Sequence, residues 1–242
     1  MIELKNVSKT YKDKCALSDI NLKINRGEIV GIFGENGAGK TTIFKAILNL
    51  IKYDGEITID GNKVTGKQLE KISFATYEHT FFPDLTAEEH REFYKYHFQK
   101  FSEKRYEVLM DFFRLPKNKP IRKFSEGMKN QFEVIMALSQ GADFILMDEP
   151  FAGNDLLNRE DFYRVLLGIL SDNETLIIST HLIDEVQDIV DRAIIIRNGN
   201  IIDDVQLSEL EEKGITLVEY VKKSYDYEFD RVSKALEQLE ED

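Results

Sequence analysis

The chain has 242 residues, of which 42% are hydrophobic and 31% are charged, and its formal net charge at pH 7 is -12. This length and composition are typical of one large globular domain, with or without a subdomain. The acidic balance disfavours diffuse electrostatic attraction to nucleic acid or to an anionic bilayer.

The N-terminal segment and the cysteine content indicate a cytoplasmic protein. The single cysteine, Cys15, cannot form a disulfide within the chain, and MIELKNVSKTYK lacks the apolar core of a signal peptide. No apolar run approaches the roughly 18 to 20 residues that a membrane-spanning helix needs. We therefore expect that any membrane role depends on a partner.

The first third of the sequence predicts strands around one glycine-rich loop. Alternating apolar and polar residues in IELKNVSKTY and ALSDINLKI predict two antiparallel strands. A buried strand follows a turn at Arg26 and Gly27, and after the loop we predict a helix and two further strands. These four elements span residues 28–33, 40–51, 56–60 and 72–75.

The spacing of apolar residues becomes helical at PDLTAEEHREFYKYHF, and residues 83–141 are predicted to form a separate helical lobe. Strand character returns in DFILMDEP and TLIISTH, each followed by a helical segment, which is the pattern of parallel strands covered by helices. A hairpin in RAIIIRNGNIIDD turns at Asn198 and Gly199. The fold is therefore predicted to be α/β.

The end of the chain differs in charge from the rest. Beyond Gln206, eleven acidic residues stand against five basic ones, a net charge of -6 that is half of the total of -12. One helical face carries four apolar residues, which predicts that part of this extension packs. They are Phe229, Val232, Leu236 and Leu239. We divide the chain into a domain at 1–206 and a partly helical acidic extension at 207–242.

The glycine-rich loop has the pattern of a phosphate-binding P-loop. GENGAGKT, residues 34–41, fits G-x-x-x-x-G-K-[ST] between a predicted buried strand and a helix. Glycine lets successive backbone N–H groups point at a phosphate, and the helix N-terminus adds its positive dipole end. Lys40 would reach the β- and γ-phosphates and Thr41 would ligate Mg²⁺. The predicted nucleotide-binding residues are Gly34, Glu35, Asn36, Gly37, Ala38, Gly39, Lys40, Thr41 and Thr42.

Two carboxylates end the apolar strand FILMDEP. Buried acids at the carboxyl edge of a parallel sheet are unfavourable unless a positive group lies opposite, and Mg²⁺ beside the P-loop supplies one. Asp148 is the candidate metal ligand. Glu149, one residue on, is the candidate base that accepts a proton from the water attacking the γ-phosphate.

Six segments in this order resemble the ATP-binding subunit of a bacterial ABC transporter, and the likeness covers residues 1–206. They are SKTY with Tyr11, the P-loop, FSEGMKNQ, FILMDEP, AGND and STH. The resemblance implies a P-loop ABC cassette with a mostly parallel sheet core, an antiparallel β subdomain and an α-helical subdomain. It also implies that two cassettes close head to tail, with ATP between one subunit's P-loop and the other's signature segment.

The resemblance assigns roles to five further residues. Tyr11 would stack on adenine. Ser125 would cap a helix and, with Gly127, would bind the γ-phosphate held by the partner cassette. Asp155 would align the two cassettes, and His181 would contact the γ-phosphate and hold the attacking water.

Two of the departures from the family pattern bear on the site, while Met128 in place of a common glutamine and Leu156 in place of a frequent proline are given no role. Tyr77 stands where the family commonly has a metal-binding glutamine, so the adjacent Glu78 is an alternative metal ligand. Glu126 replaces the first glycine of the usual signature and would repel a nearby phosphate, so we expect its side chain to turn away.

The family resemblance implies an ATP-hydrolysing motor that drives a separate membrane-spanning subunit from the inner face of the membrane. Signature segments of the S-x-G-M-K kind resemble those of bacterial exporters, and Phe81, Phe82 and HREFYKYHF are candidates for the surface that transmits movement. Two other interpretations are a soluble ATPase acting on ribosomes or DNA, which the acidic charge disfavours, and a weakly hydrolysing regulatory module, which Tyr77 and Glu126 favour. We expect no nucleic-acid partner.

Overall fold

The computed structural model describes residues 1–150 and 159–225. The N-terminal strands form an antiparallel sheet, which confirms the predicted pairing of IELKNVSKTY with ALSDINLKI. Its strands are β1 (Ile2–Tyr11), β2 (Lys14–Ile24), β4 (Asp54–Ile59) and β5 (Asn62–Lys63). They lie in the spatial order β2-β1-β4-β5.

A second sheet of six strands carries the predicted P-loop. Its strands are β3 (Ile29–Phe33), β6 (Ile72–Thr76), β7 (Phe144–Asp148), β8 (Thr175–Thr180), β9 (Arg192–Arg197) and β10 (Asn200–Gln206). The order is β10-β9-β3-β8-β7-β6, and every neighbouring pair is parallel except the β9-β10 hairpin. The hairpin turns at Asn198 and Gly199 as predicted, both with a left-handed backbone (φ 49° and 76°).

Both faces of the six-stranded sheet are buried. Along β7, Phe144 and Leu146 belong to a core shared with the antiparallel sheet, whereas Ile145 and Met147 belong to a core shared with the helical lobe. Successive strand residues point to opposite faces, so a strand covered on both sides is apolar throughout. This explains the continuous apolar run in FILMDEP.

The α-helices lie around these sheets. They are α1 (Lys40–Ile47), α2 (Gly66–Leu69), α3 (Ala87–His97), α4 (Glu103–Phe112), α5 (Glu126–Ser139), α6 (Arg159–Ile169), α7 (Leu207–Glu212) and α8 (Leu217–Ser224). Helices α3 to α5 fall within residues 83–141, and α7 and α8 fall within 207–225. The domain bounds themselves remain predictions.

The helix after the P-loop is shorter than predicted. It ends at Ile47, not at residue 51, because Asn49 takes a left-handed backbone (φ 54°). The N–H groups of Asn49 and Leu50 donate to the carbonyls of Ala46 and Lys45, which closes the last turn in a Schellman motif. The helix was predicted to continue to residue 51 because apolar residues follow Ile47, and this predicted end is wrong.

The start of the extension packs on the six-stranded sheet. Val221 in α8 is buried, and the Tyr225 hydroxyl donates to the carbonyl oxygen of Ile196 in β9 at 2.6 Å. The predicted apolar face at residues 229–239 lies outside the described residues.

Candidate functional site

The P-loop connects β3 to α1 with a backbone that requires glycine. Gly37 and Gly39 have φ angles of 84° and 119°, which side chains rarely adopt. A Cβ atom on Gly39 would lie 2.8 Å from the carbonyl oxygen of Ala16. Gly39 also caps α1 without any side-chain hydrogen bond, so the N–H groups of the first turn are not engaged by a capping side chain.

Lys40 is a buried cation with three oxygen neighbours. Its Nζ donates to the carbonyl oxygens of Gly34 at 2.7 Å and Glu35 at 3.3 Å. It also lies 3.2 Å from Oε1 of Glu149, and the lysine side chain is only 6% exposed. The loop therefore holds the ammonium group next to the predicted base.

One cavity of about 540 Å³ gathers most of the predicted nucleotide-binding residues, and its volume suits a small-molecule ligand. It is lined by Tyr11, Lys14, Ala16, Asn36, Gly37, Gly39, Lys40, Thr41, Thr42, Tyr77, Glu149 and His181. Tyr11 is 44% exposed, so its ring is accessible to an adenine base. Lys9 Nζ lies 4.8 Å from the centre of that ring.

Asp148 ends β7 as a fully buried carboxylate. Its Oδ1 accepts a short hydrogen bond from the Ser179 hydroxyl, and Ser179 is its direct neighbour in the parallel pairing of β7 with β8. Burial raises the pKa of Asp148, and the hydrogen bond from Ser179 opposes that shift.

The second carboxylate oxygen of Asp148, Oδ2, is relevant to the predicted Mg²⁺ site. Oδ2 is buried and lacks a partner at hydrogen-bond geometry among the described residues, while the nearby Thr41 hydroxyl helps to lower the pKa of the carboxyl. A buried carboxylate oxygen without a donor is costly unless a cation binds it. Carboxylate and hydroxyl oxygens suit Mg²⁺, so the donor set of Asp148 and Thr41 fits this metal.

Glu149 is fixed by its backbone and by three side chains. Its φ of 49° is left-handed, a strained conformation for glutamate that is typical of functional sites. Thr180 Oγ1 donates to Oε2 at 3.1 Å, and Nδ1 of His181 lies 3.0 Å from both carboxylate oxygens. Because an ionised carboxylate only accepts, Nδ1 carries the hydrogen. With Lys40, these contacts aim Glu149 into the cavity.

The signature segment lies at the start of α5. Ser125 caps the helix as predicted, with its Oγ accepting from the N–H of Met128 at 3.3 Å. The side chain of Glu126 is 73% exposed and pairs with Lys129 at 2.6 Å and His79 at 3.0 Å. Neither Ser125 nor Gly127 lines the chain's own cavity.

Among the described residues, five more predicted residues do not line this cavity: Gly34, Glu35, Ala38, Glu78 and Asp148. Glu78 does not line it and pairs instead with Lys45 of α1 at 2.7 Å. Asp155, in AGND, lies outside the described residues. Tyr77 does line the cavity, 48% exposed.

Several residues at the site were missed from the sequence. Lys14 and Ala16 line the cavity because β2 runs past the P-loop. Ser179 and Thr180 hold the two carboxylates because β8 pairs with β7. The sequence signal that could have identified Ser179 and Thr180 is the pair of hydroxyl side chains directly before His181 in the STH segment.

The family model for ABC transporters matches residues 17–152, more than half of the chain. The chain belongs to the ABC transporter family. The ABC transporter ATP-binding protein YcbN of Bacillus subtilis is 34% identical over 234 residues, covering 91% of this chain and 74% of that protein. The lipopolysaccharide export system ATP-binding protein LptB of Haemophilus influenzae is 30% identical over 214 residues, covering 84% and 89%.

Solved structures of ABC cassettes share the fold. An ATP-binding subunit of an ABC transporter aligns with a TM-score of 0.83 and 26% identity over 93% of this chain and 99% of the other. A dimeric ATP-binding cassette in a post-hydrolysis state with ADP and phosphate aligns with a TM-score of 0.75 and 28% identity over 86% and 99%. The predicted P-loop ABC cassette fold is confirmed. This ABC subunit is an ATP-binding ATPase that acts as a transporter's motor.

Proposed function

We propose that this ABC subunit binds MgATP between two cassettes and uses its hydrolysis to drive export through a separate membrane-spanning subunit. The observation that carries the proposal is the convergence of Lys40, Glu149 and His181 with the P-loop in one cavity. Each of the three supplies a group that hydrolysis of a triphosphate needs: a cation for the phosphates, a base and a residue that positions water.

Binding and proton transfer are assigned to separate residues. The backbone N–H groups of the P-loop and Lys40 bind the phosphates. Anionic phosphate oxygens compete with Glu149 for the Lys40 ammonium, which leaves the carboxylate to accept a proton from water. His181 and Thr180 keep that carboxylate in place.

Thr41 and Asp148 would hold Mg²⁺, and the support for this role is the buried Oδ2 atom of Asp148. When bound, the metal neutralises charge on the β- and γ-phosphate oxygens. Glu78, paired with Lys45, is the less favoured alternative ligand.

A second cassette, identical or different, would complete the site. Ser125 and Gly127 of each cassette would bind the γ-phosphate held by the other, and Asp155 would align the two. The dimeric form of a related cassette supports this arrangement. ATP binding and dimerisation would then strengthen each other, because the nucleotide contacts both subunits.

The membrane partner would contact exposed aromatic side chains on the helical lobe. Phe82, Phe93 and Tyr96 are 57%, 42% and 84% exposed, and clustered exposed apolar side chains mark interaction sites. No helix in the described parts of the chain has the length and apolar character to cross a bilayer. We place the subunit at the cytoplasmic face, and the relationship to an export-system protein supports export.

A co-purification experiment tests the membrane partnership. From detergent-solubilised membranes, the tagged wild-type chain should bring down an integral membrane subunit, and the Phe82→Ser, Tyr96→Ser double variant should not. Leu50→Ser is the matched control, because Leu50 is also exposed, at 65%, but lies outside the lobe. Equal recovery with the double variant and the wild type would contradict this surface.

Lys14 is predicted to add affinity for ATP. It lines the cavity, and its Nζ lies beside the P-loop, 3.8 Å from where a Cβ atom on Gly37 would be, so its charge is available to the nucleotide. Lys14→Gln should raise the Kd for ATP by about two- to fivefold, the range for an exposed charge pair. The effect should shrink at high salt.

The matched control is Lys12→Gln, because Lys12 is an exposed neighbour that does not line the cavity. Isothermal titration at two salt concentrations gives both values. A Kd that responds equally to the two substitutions would show that only the overall charge matters.

A further inference from the structure

A buried carboxylate lies where α5 meets the loop after β6. Glu133 of α5 is 2% exposed, and its Oε1 accepts a hydrogen bond from the backbone N–H of Thr80 at 2.8 Å. No basic side chain pairs with Glu133 in the described parts of the chain. The sequence analysis assigned Glu133 no role in the site.

The loop that Glu133 holds reaches the nucleotide cavity. We call residues 77–80 the cavity loop. Its first residue, Tyr77, lines the ATP cavity, and its last, Thr80, is bound by Glu133. Tyr77 and Glu133 also line one small cavity together with Asp148 and Glu149. The position of the cavity loop therefore affects the surroundings of the two carboxylates.

The Thr76 hydroxyl accepts from the N–H of Glu78 at 3.2 Å, and two further side-chain restraints on the cavity loop are exposed to solvent. Glu78 pairs with Lys45 and His79 pairs with Glu126, and the two glutamates are 47% and 73% exposed. Exposed pairs contribute little, whereas the carboxylate that accepts from the Thr80 N–H is itself buried. Glu133 is thus the charged group among the described residues that restrains this loop from a buried position.

An ionised carboxylate at this position lowers the stability of the fold. Burial raises the pKa of Glu133 to about 7, and hydrogen bonds from Thr80 oppose the shift. Between the ordinary glutamate pKa of 4.5 and about 7, the folded state binds more protons than the unfolded state, so stability falls as pH rises. A costly group that persists next to an active site points to a functional role.

The groups that face Glu133 do not offset its charge. From α3 comes Tyr94, whose own pKa burial raises to about 12, with a further contribution from Glu133. Across the small cavity lie Asp148, the last residue of β7, and Glu149, which follows it. The cavity loop offers the hydrogen-bond donors of Thr80 and the ring of His79, which is paired with Glu126.

We propose that Glu133 is a positioning residue for ATP hydrolysis, which holds the cavity loop against α5 and thereby fixes Tyr77 beside the nucleotide. This inference rests on the proposed ATP cavity. Charge-assisted hydrogen bonds are about twice as strong as neutral ones, so the ionised carboxylate holds the loop more firmly than its protonated form.

The test uses Glu133→Gln and Glu133→Leu in the full chain. Glutamine keeps an acceptor for Thr80 without a charge, and leucine removes the acceptor. The kcat of the wild type should rise with pH through about 7, whereas that of Glu133→Gln should not. The kcat of Glu133→Gln should therefore equal that of the wild type at pH 6 and be about threefold lower at pH 8. Glu133→Leu should lower kcat about tenfold at every pH, since its loop has no acceptor.

Three further measurements separate positioning from a purely structural role. In hydrogen exchange, Thr80 should stay protected in Glu133→Gln and lose protection in Glu133→Leu. The Tm of Glu133→Gln minus the Tm of the wild type should increase as pH rises from about 5 to about 8. The Kd for ATP should be unchanged in both variants, and Glu92→Gln, an exposed lobe glutamate, should match the wild type throughout.

The outcomes are decisive in both directions. The same pH profile of kcat in the wild type and Glu133→Gln would overturn the proposal, even if Glu133→Leu failed to fold. A change in Tm with unchanged kcat would assign Glu133 to stability alone and would also overturn it. The ATP cavity is tested separately by Lys40→Ala, so the failure of one idea is distinguishable from that of the other.

Discussion

Glu149→Gln is expected to retain ATP binding while kcat falls by about 10² to 10⁴-fold, the range for loss of a general base. Glutamine has nearly the same shape and can still accept the hydrogen bonds from Thr180 and His181. It cannot accept the proton of the attacking water. Steady-state kcat and an equilibrium Kd for ATP, measured on the same preparation, separate the two effects.

The same variant should accumulate as an ATP-bound dimer. If ATP bridges two cassettes, blocking hydrolysis removes the step that lets them separate, and size-exclusion chromatography with MgATP should show a dimer peak. Glu107→Gln on α4 serves as the matched glutamate control, because Glu107 does not line the nucleotide cavity or the small cavity beside it. A kcat within a few-fold of the wild type would remove Glu149 from the catalytic role.

Lys40→Ala is expected to raise the Kd for ATP by about 10- to 100-fold, because hydrogen bonds to charged groups contribute about 1.5 to 3 kcal/mol. The substitution removes the only lysine of the P-loop and leaves Glu149 without its cation at 3.2 Å. An uncompensated carboxylate then faces the phosphates, which adds repulsion to the lost attraction. AMP, which lacks the β- and γ-phosphates, should bind the variant and the wild type with similar affinity.

The matched control is Lys45→Ala. Lys45 lies on the same helix, but it pairs with Glu78 and does not line the cavity. Isothermal titration with ATP and AMP, and thermal unfolding to confirm the fold, complete the experiment. An unchanged Kd for ATP in folded Lys40→Ala would argue against phosphate binding by Lys40, and with it against the proposed cavity.

Local sequence patterns determined the elements of this fold and the loop at its centre. Alternation predicted β1 and β2, apolar runs predicted β3, β7 and β8, and the spacing of Gly34, Gly39 and Lys40 predicted the P-loop. These patterns are readable because strand pleating, helix hydrogen bonds and glycine conformations depend on residues a few positions apart. The end of α1 was predicted wrongly because Asn49 ends the helix, although the apolar residues beyond it favour its continuation.

The side chains that complete the site were decided by tertiary structure alone. Ser179 holds Asp148 only because β7 and β8 are parallel neighbours in that register, and Lys14 enters the cavity only because β2 passes the P-loop. Glu133, a polar residue within an apolar helix, could not be read as the anchor of the cavity loop. Contacts between residues distant along the chain depend on sheet order and packing, and no local spacing in the sequence encodes which partner a side chain meets.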